Sequence, residues 1–172
     1  MTHRTHTIVD SPIGPLTLVA VDHSLCGLYM DAQRHRPADA TFGEVGQAPF
    51  NGTPFPQVIE QLGEYFAGDR IAFDLALAPI GTPFRLAVWA ELQLIPYGET
   101  ASYSAIAGRI GNPGAARAVG LANGANPIGI VVPCHRVVGA DGSVGGYGGG
   151  TERKRWLLDL EQARRRAELR SQ

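Results

Sequence analysis

Residues 5–30 alternate between apolar and polar positions on either side of two turn signals, Ser11-Pro12-Ile13-Gly14-Pro15 and Asp22-His23. A period of two predicts antiparallel strands, with Leu16, Leu18 and Ala20 on one face. Residues 31–52 are polar and rich in Gly and Pro, which predicts a surface loop. The period then lengthens: Val58, Leu62 and Tyr65 recur at helical spacing, so a helix is expected from about Pro54 to Ala67, with Gly68 as its stop. Ile71 to Leu77 reads as a further strand. Thr82-Pro83 supplies an N-cap followed by proline at the first helical position, and Phe84, Val88 and Leu92 form the stripe of a helix that ends before Ile95-Pro96-Tyr97-Gly98.

Residues 100–127 predict two short helices joined by a tight turn. Ser102 caps the first, which carries Tyr103, Ile106 and Ile110, and Gly111-Asn112-Pro113-Gly114 breaks it. The second runs from Ala115 to Asn123, and the pair reads as a helix-turn-helix. A major-groove recognition helix carries several long polar side chains, whereas this one carries only Arg117 among small residues. Close approach to a narrow groove with one protruding side chain suits minor-groove binding that deforms DNA; tight packing of one helix on another is the alternative. Beyond an Asn126-Pro127 bend, the β-branched run Ile128-Gly129-Ile130-Val131-Val132 predicts a buried strand leading to Pro133-Cys134-His135-Arg136-Val137. The loop Gly139–Gly150 holds 7 glycines in 12 residues, and a final helix follows. The expected class is α+β: a small N-terminal lobe with an antiparallel sheet over residues 1–80, then an α-helical C-terminal lobe over 81–172 with a winged-helix-like helix-turn-helix unit.

At 172 residues and 44% hydrophobic content the chain can bury a sizeable core. It has neither a long apolar span nor a basic start followed by an apolar run, so a cytoplasmic protein with no membrane contact is expected. Two cysteines, Cys26 and Cys134, are too few for a disulfide scaffold or a four-cysteine zinc site. His3, His6, His23 and His35 lack metal-ligand spacing, so no metal and no cofactor are expected. The net charge of −1 hides an asymmetry: residues 1–99 carry 5 basic against 11 acidic side chains, residues 100–172 carry 10 against 5. A basic second half is compatible with an anionic partner such as nucleic acid, and equally with a solvated Arg-rich helix around Arg164-Arg165-Arg166.

Cys134 beside His135 is a candidate nucleophile, because a thiol attacks poorly at neutral pH until a base or a positive field favours the thiolate. Cys26 reads as a packed strand residue. Glu161 borders the apolar stripe of the last helix, next to Leu160 and four residues after Leu157; a half-buried orienter for a histidine and a surface partner of Arg165 both fit that position. The glycine loop is not a phosphate loop, since no Gly-Lys-Ser/Thr follows it.

Taken in order, Pro-Tyr-Gly-Glu-Thr (96–100), Ser102-Tyr103, Ala115-Ala116-Arg117-Ala118-Val119-Gly120, Asn126-Pro127 and the cysteine motif resemble the O6-alkylguanine-DNA alkyltransferases over about residues 82–162. Over residues 1–81 the resemblance is looser and rests on Ser-Pro-Ile-Gly-Pro-Leu (11–16). It implies a DNA repair protein that transfers a methyl or larger alkyl group from O6 of guanine, and from O4 of thymine, irreversibly to its own Cys134. His135 would activate the thiol through a bridging water, Glu161 would orient His135, and Tyr103 would assist departure of the base. Arg117 would fill the gap left by the flipped nucleotide, with Ala115, Ala116, Ser102 and Asn123 as further DNA contacts. Tyr103, Val137, Tyr147, Gly148 and Gly149 would line the base pocket, and Asn126 would be the hinge between the helix-turn-helix and the active-site segment. The implied partner is double-stranded alkylated DNA, approached from its minor groove by a monomer, with cooperative assembly along DNA left open. The family often has Ser where this chain has Gly148, so a hydroxyl contact to the base is missing, and Gly129 and Gly146 leave space for larger alkyl groups. A Cys-His acyl-transfer hydrolase is the competing reading of the same motif; a relative that only binds lesions would lack the cysteine.

Overall fold

The computed structural model describes residues 2–172. Strands β1 (Arg4–Val9), β2 (Leu16–Val21) and β3 (Ser24–Met30) form the expected antiparallel meander. A short strand β4 (Glu44–Val45), drawn from the polar 31–52 segment, adds to β1 in parallel, giving the order β3-β2-β1-β4. Both faces of β2 are buried because the two sides of the sheet have separate cores. Leu16, Leu18 and Ala20 join the main core, whereas Val19 packs with Cys26, Tyr29 and Phe42 under the loop.

Helix α1 (Phe55–Phe66) presents Phe55, Val58, Leu62 and Tyr65 to the main core and ends where Gly68 takes φ +80. Ile71–Leu77 is extended but is not the strand its composition suggests. Its backbone groups find partners elsewhere: the Gln61 side chain bonds both the N–H and the C=O of Asp74 (2.8 and 2.9 Å), and only one bridge, Leu25 to Leu77, reaches β3. Helix α2 (Pro83–Leu92) starts at the Thr82 cap. Strand β5 (Ala101–Ser102), helix α3 (Tyr103–Arg109), capped by Ser102, and helix α4 (Ala116–Gly124) complete the helix-turn-helix. The indole N–H of Trp89 donates to Ala122 C=O at 2.8 Å and ties α2 to α4. Strand β6 (Val137–Val138) pairs with β5 in parallel, and helix α5 (Thr151–Arg170) closes the chain. The α+β class expected from the sequence is the observed one.

The run Ile128–Val132 is not the predicted strand either. Ile128 makes one parallel bridge to Leu28, and the chain then turns, with Val131 N–H bonding Gly129 C=O and Val132 N–H bonding Ile128 C=O. Ile130, fully buried, adopts φ +68, a conformation costing a β-branched residue of order 1–3 kcal/mol. The β-branched composition reflects burial on all sides, a property that strands and buried turns share. Asn126 holds the turn: its Oδ1 accepts from Ile128 N–H at 3.0 Å and its Nδ2 donates to Val132 C=O at 2.8 Å.

Asn126→Ala leaves the buried Ile128 N–H without a partner and Val132 C=O with Cys134 N–H as its remaining donor, and the folded state should lose about 2 kcal/mol. Urea unfolding measures this; a loss under about 0.5 kcal/mol would mean that the turn holds itself.

Candidate active site

The turn ends in a single 3-10 turn, Cys134–Arg136, and these three side chains are buried. Cys134, 5% exposed, lies at the floor of a cleft with Gln33, Asn123, Gly124, Asn126, Gly129, Tyr147, Gly148 and Gly149. The free volume there is about 10 Å³, room for no more than one water. Burial pushes the thiol upward, opposed by hydrogen bonding from Asn126, the charge of Lys154 and hydrogen bonding from Tyr147. The net direction is up, so at neutral pH the resting group is a thiol and its reaction needs a base.

A candidate for that base stands next in sequence. His135 is fully buried, and its Nε2 lies 2.8 Å from Glu161 Oε1. Burial would raise the Glu161 carboxyl, but the hydrogen bonds and charges of His135 and Arg136 prevail and hold it at about 2. Arg136 is the permanent counter-ion, placing Nε 2.9 Å from Oε2 and Nη2 2.9 Å from Oε1. An ionised carboxylate only accepts, so Nε2 of His135 carries the proton and Nδ1 of the neutral ring is left as the acceptor. Burial, joined by the charges of Arg136 and Lys154, lowers the His135 pKa against the opposing pull of Glu161, which keeps the ring neutral at neutral pH. Nδ1 has no hydrogen-bond partner among the described residues, and Asn123 Oδ1 has none either. Two further donors reach Glu161: Tyr65 Oη at 2.8 Å from Oε1 and Gly98 N–H at 3.2 Å from Oε2. The pairing of Glu161 with Arg165 does not occur; Arg165 meets Glu99 at the surface.

Above the cleft lies an outer groove of about 280 Å³ lined by Arg34, His35, Tyr103, Arg117, Leu121 and Gly146, sharing Gly124 and Gly148 with the cleft below. Arg117 is exposed, and Leu121, one turn further along α4, is 71% exposed, an apolar knob beside the cation. Tyr103 is half-buried; burial, then the proximity of Cys134, raises its hydroxyl pKa, so it stands ready as a donor. Ala115 and Ala116 are half-buried at the start of α4, and the Ser102 hydroxyl is engaged in capping α3. Asn123 departs from its expected place on the DNA-facing surface. It is 2% exposed, with Nδ2 donating to Cys134 C=O at 3.3 Å, because the inward face of α4 abuts the active-site turn. Val137 is likewise fully buried and lies outside both lining sets; its carbonyl is held by Lys154.

Lys154 is the least legible member of the site. Its Nζ, fully buried, spans Val137 C=O at 2.5 Å and Gly145 C=O at 3.0 Å, which fastens the glycine loop to the segment after Cys134. Nothing in the charged stretch Glu152-Arg153-Lys154-Arg155 marks Lys154 as its buried member. Among the loop glycines, a Cβ at Gly149 would fall 2.4 Å from Met30 Sδ, so a side chain there would require Met30 to move; at Gly148 it would meet nothing nearer than 3.5 Å, so there is room for a serine Cβ.

The Glu161 carboxyl drops from 4.5 to about 2 on folding, so the stability it contributes is complete above its unfolded value and lost as the pH falls through its folded one. Glu161→Gln should therefore destabilise the fold at pH 7 by about 3 kcal/mol, and the gap between parent and variant should narrow by about 2 kcal/mol at about pH 3. Denaturant titrations at both pH values test this; a constant gap would contradict it.

Two family models match the chain: the 6-O-methylguanine DNA methyltransferase ribonuclease-like domain over residues 5–79 and the DNA binding domain of the same family over residues 83–163. A protein of Mycolicibacterium paratuberculosis named methylated-DNA–protein-cysteine methyltransferase is 53% identical over 161 residues, 94% of each chain. One of the same name from Methanosarcina acetivorans is 45% identical over 157 residues, 91% of this chain and 97% of that one. The solved structure of Mycobacterium tuberculosis OGT in complex with DNA superposes with a TM-score of 0.85 at 51% identity, covering 93% of this chain and 94% of that one. With both halves matched and these identities extending over nearly its whole length, the chain belongs to the 6-O-methylguanine DNA methyltransferase family.

Proposed function

We propose that this chain repairs double-stranded DNA by moving an alkyl group from O6 of guanine, and from O4 of thymine, to Cys134, once per molecule. The observation that carries the reading is the cleft thiol followed directly by a buried, neutral His135 held by an ionised Glu161. His135 Nδ1 takes the thiol proton through one water, the sulfur attacks the alkyl carbon, the S–C bond forms as the C–O bond breaks, and the base leaves with a proton supplied by way of Tyr103. A thioether results, and the chain offers no group to cleave it, so the reaction ends there.

The target base must leave the stack to reach this sulfur. The outer groove receives the DNA: Arg117 enters the space the base vacates, and Leu121, exposed beside it, suits the apolar wedge that minor-groove binders use. A cleft of about 10 Å³ does not hold a purine, so the segment Val144–Gly149 must shift on binding. Its contacts with the N-terminal half, Arg34 N–H to Gly148 C=O at 2.9 Å and Tyr147 Oη to Met30 Sδ at 3.9 Å, are the ones to release.

Incubation with one equivalent of duplex carrying a single O6-methylguanine should leave protein heavier by one methyl group, mapped to the Cys134 peptide, and then stop. Cys134→Ser should gain nothing while still binding. Continued turnover would favour the hydrolase reading. Arg117→Ala should slow repair of the duplex about tenfold or more, the effect of losing ~1.4 kcal/mol of flipping support, yet leave transfer from free O6-benzylguanine unchanged. Equal losses on both substrates would remove Arg117 from the flipping step.

A further inference from the structure

We propose that Tyr65, on the N-terminal helix α1, is a positioning residue of the alkyl-transfer site, its phenol controlling how strongly Glu161 holds His135; this rests on the role given to His135 above. Tyr65 is fully buried, and its ring is fixed edge-on to Tyr97 at 6.1 Å and against Phe73 at 5.4 Å between centroids. Packing alone would be served by phenylalanine. The hydroxyl nevertheless reaches across 96 residues of sequence and donates to Glu161 Oε1 at 2.8 Å. That oxygen is the one that accepts from His135 Nε2, also at 2.8 Å.

Three donors, the phenol, His135 Nε2 and Arg136 Nη2, share the charge of that one oxygen. The phenol draws density from Oε1 and so limits how far the carboxylate stabilises a protonated imidazole, while Arg136 keeps the carboxylate itself in place through both oxygens. Burial, then the charge of Glu161, pushes the Tyr65 hydroxyl well up, so it remains a neutral donor across the working range. The other groups facing the pair are Cys134 on the same 3-10 turn, Lys154 on α5, and Tyr97 and Arg164, which contact each other beside it. None of these donates to Oε1 in place of the phenol. Removing the hydroxyl should make His135 more basic, and a more basic His135 is a poorer proton acceptor on the acid side because more of it is already protonated.

Tyr65→Phe keeps the ring. Its rate of transfer from free O6-benzylguanine, followed from about pH 5 to 9, should show the acid limb displaced upward by about half a unit. That displacement means a roughly threefold loss on the limb and convergence with the parent at high pH. The His135 imidazole titration, followed by NMR without any substrate, should move in the same direction. Coincident pH profiles and an unmoved imidazole would reduce Tyr65 to packing. Should the parent transfer nothing to Cys134, the proposed function fails, but the NMR titration still judges Tyr65. If Tyr65→Phe does not fold, a fluorinated tyrosine placed at position 65 is a stronger donor of the same shape and should lower the imidazole titration; an unchanged or raised value overturns the proposal.

Discussion

Taking a carboxylate fully out of water costs several kcal/mol, and the cost is recovered only when its oxygens are saturated with donors. Glu161 meets that condition through five hydrogen bonds from four residues in three parts of the chain: Tyr65, Gly98, and the neighbours His135 and Arg136. Each donor fixes something else. Arg136 also bonds Ile95 C=O at 2.7 Å, which pins the end of α2; Gly98 anchors the segment that leads into the helix-turn-helix; Tyr65 draws in α1; and His135 receives its tautomer. The reactive thiol is positioned by whatever holds this one anion.

The site combines two opposed demands. A thiol buried in a cleft this small is protected from solvent and from stray electrophiles, yet burial raises its pKa and makes it a weaker nucleophile at rest. In the proposed mechanism, coupling deprotonation to a neutral imidazole resolves the conflict: the thiolate forms where its proton has an acceptor, inside a medium where charge interactions are strong. Lys154 contributes as well, its charge favouring the thiolate while its ammonium donates to two backbone carbonyls.

Local pattern was legible wherever one element made its own case. The meander around Ser11–Pro15 and Asp22-His23, the helix containing Tyr65, the Thr82-Pro83 start and the Ser102 cap were all readable, because turn chemistry and caps act over a few residues. Ile128–Val132 and Ile71–Leu77 were misread for one shared reason: apolar, β-branched composition reports burial, and what satisfied their backbones was a side chain outside the run, Asn126 just before the one and Gln61 on the helix before the other. At the site, Cys134, His135 and Glu161 stood out by chemistry and by resemblance. Tyr65 did not, since a tyrosine in an apolar stripe carries no mark of where its hydroxyl points, and Lys154 did not, since a lysine among arginines looks solvated. The inward turn of Asn123 follows from which face of α4 meets the active-site turn, a fact of tertiary packing.

The separation of these donors along the chain bears on how the molecule is made. During synthesis Tyr65, Gly98 and His135-Arg136 leave the ribosome before Glu161, which lies in the last helix, so a nascent chain holding His135 and Arg136 has no anion to receive them until that helix emerges. The contacts close loops of 96, 63, 26 and 25 residues, and long loops form late because their closure entropy must be met before the contacts stabilise them. The surroundings of Cys134 are thereby left unassembled until the last helix has emerged and brought Glu161 to His135 and Arg136.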